Sequence, residues 1–166
     1  MKLKSVVATA VLAAASWNAS ATVYNLGTLD PAGFDTLSGL SAKFTTAGTA
    51  IDDTWNFTLV EPSSASFSAL QTFAVSAGQI LDFSAVLSGT NLTYTFGPGS
   101  QTLSWAGSLA AGTYSVNVTG TTGLANSQYL STVSAIPTPV PEPETYAMML
   151  GGLALLGAVA RRKAKK

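Results

Sequence analysis

The sequence contains no cysteine and no histidine. The first absence excludes disulfide frameworks and thiol nucleophiles. The second removes imidazole acid–base chemistry, the Ser/His/Asp hydrolase arrangement and the usual zinc ligand sets. Charge is also scarce, at 10% of residues where ordinary soluble domains carry about 25%. The 8 basic and 8 acidic residues cancel, but the cancellation joins unlike parts of the chain. Lys2 and Lys4 stand in front and Arg161, Arg162, Lys163, Lys165 and Lys166 behind. Between Thr22 and Ile136 the sole cation, Lys43, stands against Asp30, Asp35, Asp52, Asp53, Glu61 and Asp82, one against six for a net −5. Such a body repels phosphate backbones and anionic lipid, so no nucleic-acid partner is expected.

Hydrophobic residues, by contrast, make up 47% of the chain. Met1 to Ala21 has a basic start, an apolar stretch from Val6 to Ala15 and small residues Ala19-Ser20-Ala21 in the A-x-A pattern that signal peptidase accepts. This predicts an N-terminal signal helix over residues 1–21, cut after Ala21.

At the other end, proline recurs at alternate positions from Pro137 to Pro143, which forbids a helix and predicts a stiff linker over 137–144. Tyr146 to Ala160 then carries no charge and ends on the basic cluster. As a helix that run covers about 22 Å, short of the ~30 Å hydrocarbon core. Thr145 and snorkelling Arg161 and Arg162 narrow the gap, and the cations suit a cytoplasmic stop, so a transmembrane helix and basic tail are expected over 145–166. Gly151, Gly152 and Gly157 with Ala154 and Ala158 also permit close helix contact, although small residues are common in such segments.

The run Val140-Pro141-Glu142-Pro143-Glu144-Thr145-Tyr146, continuing through apolar residues to Arg161-Arg162-Lys163, resembles the PEP-CTERM sorting signal of Gram-negative bacteria. The resemblance implies that an exosortase, a membrane cysteine protease, recognises Pro141, Glu142 and Pro143, cuts near them and transfers or releases the body outside the cell. The chain is then substrate, with Arg161, Arg162 and Lys163 as the cytoplasmic basic stop. The physical logic parallels anchors that hold a cleavage site at the membrane and are then removed.

The body, residues 22–136, shows short apolar/hydroxyl alternations separated by turn residues, which predict an all-β fold: a single antiparallel, jelly-roll-like β-sandwich. Trp55, Phe57 and Leu59 are expected inward, as are Leu81, Phe83, Ala85 and Leu87; Leu92, Tyr94 and Phe96; and Tyr114, Val116 and Val118. Ile51-Asp52-Asp53-Thr54-Trp55-Asn56-Phe57, with Gly112 to Gly120, resembles the FxDxF-type PEP-CTERM proteins and, distantly, pre-peptidase C-terminal domains. Ile51 and Trp55 replace the two phenylalanines of the family's name, Asp53 is retained, and both swaps keep an apolar inward position. That family brings no established activity.

Adjacent Asp52 and Asp53 point to opposite faces of a strand and cannot together chelate Ca²⁺ without a bulge, so Asp53 reads as a turn-capping carboxylate at a strand start. A hydrolytic pair of Asp53 and Asp82 needs one shared cleft, which linear sequence does not provide. Trp55, Trp105, Tyr94 and Tyr114 read as core residues before a sugar-stacking platform. The acceptor-like sequons at Asn56, Asn91 and Asn117 are mostly chance in the bacterial setting that the resemblance implies. The expectation is a non-enzymatic protein without cofactor or metal. It is exported, first membrane-held through its C-terminal helix, then placed at the cell surface or in the extracellular matrix, with exosortase as processing partner and exopolysaccharide as a candidate contact. The alternatives are a carbohydrate- or Ca²⁺-binding module using loops Pro31 to Ser41 and Thr121 to Ser127, and a hydrolase.

Overall fold

Alternating side chains and β-branched residues put most of the body into strands. A computed structural model describes residues 19–30, 33–139 and 143–163. The strands are β1 (Ala19–Ser20), β2 (Val23–Leu29), β3 (Asp35–Leu40), β4 (Ala50–Leu59), β5 (Ser63–Thr72), β6 (Ile80–Leu87), β7 (Thr90–Asn91), β8 (Thr93–Gly97), β9 (Ser100–Leu109), β10 (Gly112–Thr122) and β11 (Leu130–Pro137). A 3-10 turn, Ser76–Gly78, precedes β6, and helix α1 spans Pro143–Lys163.

Two sheets result. The first has the order β4, β10, β6, β7, with β1 and β2 following one another along the free edge of β4; the second has the order β3, β11, β5, β9, β8. The expected sandwich is present, but not every pairing is antiparallel. Both β1 and β2 run parallel to β4. The chain between β2 and β4 passes through β3 in the opposite sheet, and such a crossover is what parallel pairing requires.

The inner faces interlock through Trp55, Phe57, Leu59, Val116, Val118, Ala85 and Leu87 from the first sheet and Ala65, Phe67, Ala69, Leu103 and Val133 from the second. Packing over Trp55 is tight enough to demand glycine: a Cβ on Gly39 would lie 2.7 Å from Trp55 Cζ3. Buried Gln71 and Gln101 both accept the Ile80 N–H through their Oε1 atoms at 2.9 Å, tying β6 to the second sheet.

Some inward assignments are corrected. The β10–β6 register shifts between Thr119 and Thr121, and Asp82 takes a left-handed φ of 51°. This bulge turns both Leu81 and Asp82 outward and leaves Ile80 and Phe83 inside. Tyr94 and Phe96, expected inward, are exposed on edge strand β8. There, the Tyr94 hydroxyl accepts a bond from Gln101 Nε2, and Phe96 stacks on Phe73. Pro31 and Ala32 lie outside the described residues, and most of the expected loop Pro31 to Ser41 is strand β3. Strand β11 runs through Pro137, and Thr138 bonds Pro62, so folded structure continues into the expected linker. Pro137 is tolerated because β3 no longer flanks β11 there.

The signal helix expected over 1–21 falls mostly outside the described residues; Ala19 and Ser20 are extended, paired to Ala50 and Ile51. The C-terminal helix forms, but the transmembrane assignment of 145–166 is not supported: among the described residues no helix is long and apolar enough to cross a membrane. Glu144 and Arg161 bound its uncharged run, and three glycines dilute its hydropathy.

Candidate functional site

A strand shows one face every second residue, so Ile51, Asp53, Trp55 and Phe57 of β4 all point inward. All four are buried, and Asp53 has 0% exposure. Asp53 is therefore no turn cap at a strand start: it is the fourth residue of β4, inside the core.

A carboxylate survives there only with donors around it. The Thr22 backbone N–H donates to Asp53 Oδ1 at 3.1 Å. The Tyr129 hydroxyl donates to Oδ2 at 2.6 Å and itself accepts the Trp55 indole N–H at 2.9 Å. Tyr24 stacks on Trp55 with ring centroids 4.1 Å apart, and Tyr129 meets the same indole edge-on at 6.0 Å. Burial pushes the Asp53 carboxyl above its ordinary range, against the opposing pull of the Tyr129 and Thr22 hydrogen bonds. Burial and the bond to Asp53 push the Tyr129 phenol up as well. Asp52 points the other way, exposed, accepting a bond from Asn117 Nδ2 at 2.8 Å.

The remaining candidates are dispersed. Asp82 lines an open hollow with Tyr94 and Gln101, in which sealed Asp53 takes no part, so these two carboxylates share no cleft. Among the described residues no three His, Cys, Asp or Glu side chains group as a metal site. Trp55 is core, while Trp105 and Tyr114 are half-buried at its margin. Of the loop Thr121 to Ser127, the first two residues end β10; Leu124 to Ser127 border an open hollow of about 570 Å³ with Leu70 to Val75. Tyr129, which completes the Asp53 network, has little signal in the sequence, where it is a lone tyrosine just before an alternating run.

At the termini, Ala21 is exposed between β1 and β2. Pro141 and Glu142 lie outside the described residues, while Pro143 opens α1, the position where its missing N–H is harmless. Arg161, Arg162 and Lys163 occupy the last turn of α1, where cations complement the helix dipole. Met148, Leu150, Leu155 and Leu156 stand exposed, Met148 at 80%.

No curated protein matches the chain. Among solved structures, the pre-peptidase C-terminal domain of collagenase from Bacillus anthracis is similar at 13% identity and TM-score 0.41, covering 67% of this chain and 93% of that one. The CBM35 from Cellvibrio japonicus Abf62 is similar at 19% identity and TM-score 0.40, covering 68% and 85%. Residues 139–163 match the PEP-CTERM protein-sorting motif, so the chain carries this sorting signal at its C-terminus.

Proposed function

We propose that this is an exported cell-surface or extracellular-matrix protein of a Gram-negative bacterium, sorted by exosortase through its C-terminal signal, with a structural or adhesive, non-enzymatic body. One observation carries the reading: the sorting motif at residues 139–163 coincides with a helix whose large apolar side chains are exposed. On this reading the helix associates with the bilayer only transiently, held by Arg161, Arg162 and Lys163 until Pro141-Glu142-Pro143 is processed. Intact mass of the protein from cell surface and medium tests this: loss of Met1 to Ala21 and of everything after about Pro143 is expected, and a surface form still ending at Lys166 overturns it.

A second reading, an extracellular carbohydrate-binding module, is favoured by the hollow in which Trp105 sits with Asn91, Thr93 and Ser104. An indole edged by hydroxyl and amide groups suits a sugar ring. Retention on a glycan array that Trp105→Ala abolishes would support it; no retention on any glycan would remove it.

A further inference from the structure

Asp53 poses an electrostatic problem that the body does not solve with its own side chains. The carboxylate is fully buried, and Lys43, the only basic residue between Thr22 and Ile136, is exposed. Among the described residues the groups around Asp53 are neutral or acidic: Tyr129, just ahead of β11, and Thr22 bond it, Trp55 and Tyr24 lie beyond the Tyr129 hydroxyl, and Asp52 acts on it only through its charge, from the opposite face of β4. Its nearest main-chain donor is the nitrogen of Thr22, the residue that follows the A-x-A sequence.

We infer that Asp53 is the receptor for the mature N-terminus, holding the α-ammonium group of Thr22 as a part-buried ion pair once the leader is removed. The inference rests on the export reading for the position of the cut. Hydrolysis of the Ala21–Thr22 bond by signal peptidase adds one water, leaving a carboxylate on Ala21 and an amine on Thr22 that takes up a proton. The nitrogen that now donates as an amide from 3.1 Å becomes a cation without having to move. It is held in place from the other side of the residue, because the Thr54 N–H donates to the Thr22 carbonyl at 2.8 Å and Val23 then enters register opposite Thr54. Among the described residues, what is given up is the two-residue pairing of β1. A bond between two opposite charges thus replaces one from a neutral amide, at the point where the core holds an uncompensated anion.

To test this, the full-length precursor is exported, purified in mild detergent and checked by intact mass, and acylation of its α-amine is followed against pH. The Thr22 amine is expected to titrate at least one unit above the ordinary ~7.7–8.0 and to react about 10-fold more slowly at neutral pH than in Asp53→Asn. Should Asp53→Asn fail to fold, wild-type protein beginning at Ala21 serves instead: one extra residue displaces the amine, so it is expected to melt below the Thr22 form, with the difference vanishing once the amine is deprotonated. Free-terminus reactivity in the folded Thr22 form, or equal melting of the two forms, overturns the pairing. A natural N-terminus other than Thr22 overturns the assigned cut alone. The pairing is then read on protein whose leader is removed by an engineered protease site to leave Thr22.

Discussion

Tyr129 donates its hydroxyl proton to Asp53 across 76 residues of sequence, at 2.6 Å and out of reach of solvent. The same oxygen caps the indole N–H of Trp55, so one hydroxyl satisfies two buried groups of β4.

Tyr129→Phe leaves the Trp55 indole N–H and Asp53 Oδ2 without this partner, while Asp53 Oδ1 keeps the Thr22 N–H. Each unpaired buried group costs roughly 1–3 kcal/mol, so a loss of about 2–6 kcal/mol is expected in urea unfolding. Trp55→Phe removes one donor and leaves the Tyr129–Asp53 bond in place, but it also leaves a cavity; a smaller effect on the far-ultraviolet signal than on the midpoint is expected.

While Thr22 remains an internal amide, burial holds the Asp53 pKa above its ordinary 3.8. The folded state then binds this proton more tightly than the unfolded chain. The resulting stability is fully present below 3.8 and is lost as pH rises through the raised folded value. For protein retaining residues before Thr22, the stability difference between wild type and Asp53→Asn should therefore move in favour of Asp53→Asn from pH 3 to pH 7, as measured by urea midpoints. A flat difference would contradict this.

Gly39→Ala places a methyl against the Trp55 ring, where 2.7 Å separates the atoms. Overpacking of this kind typically costs about 1–3 kcal/mol, and a lower melting temperature with altered tryptophan fluorescence is expected.

Ser131 is fully buried, and its Oγ has no hydrogen-bond partner among the described residues. Ser131→Ala deletes that polar atom, so stability is expected to stay level or rise by up to about 1 kcal/mol. A clear loss would show that the hydroxyl has a partner.

Replacing Pro141-Glu142-Pro143 by alanines should leave the melting temperature of the body unchanged, because the strands end before it at Pro137. The same change should cause uncut precursor to accumulate in the membrane fraction, read by immunoblot. Normal processing would remove the motif from the sorting account.

The alternation rule located β4 and β10 because Trp55, Phe57, Val116 and Val118 are large and leave no doubt about their face. The contrast is weaker at β5, where small Ala65 and Ala69 face inward and Leu70 stands outward beside Ser64, Ser66 and Ser68. The β6 bulge was invisible because it depends on register against β10. Asp53 is the instructive residue: in the sequence it reads as a turn-capping carboxylate at a strand start, whereas its two-residue spacing from Ile51 and from Trp55 puts it on their inward face. Tyr129, which offsets the cost of burying that carboxylate, lies too far along the chain for local pattern to supply. The sorting signal was legible because proline spacing, apolar run and cations are contiguous.

Strand β11 lies between β3 and β5, the second of five in its sheet, although it comes last in the body. Nearly the whole domain must therefore have emerged before that layer can close. Until then β3 has no neighbour to zip onto, and Asp53 stays wet without the phenol that arrives just ahead of the final strand. Closure of that layer is thus a late event, and a chain threaded through a narrow pore would keep β3 unpaired until β11 is through.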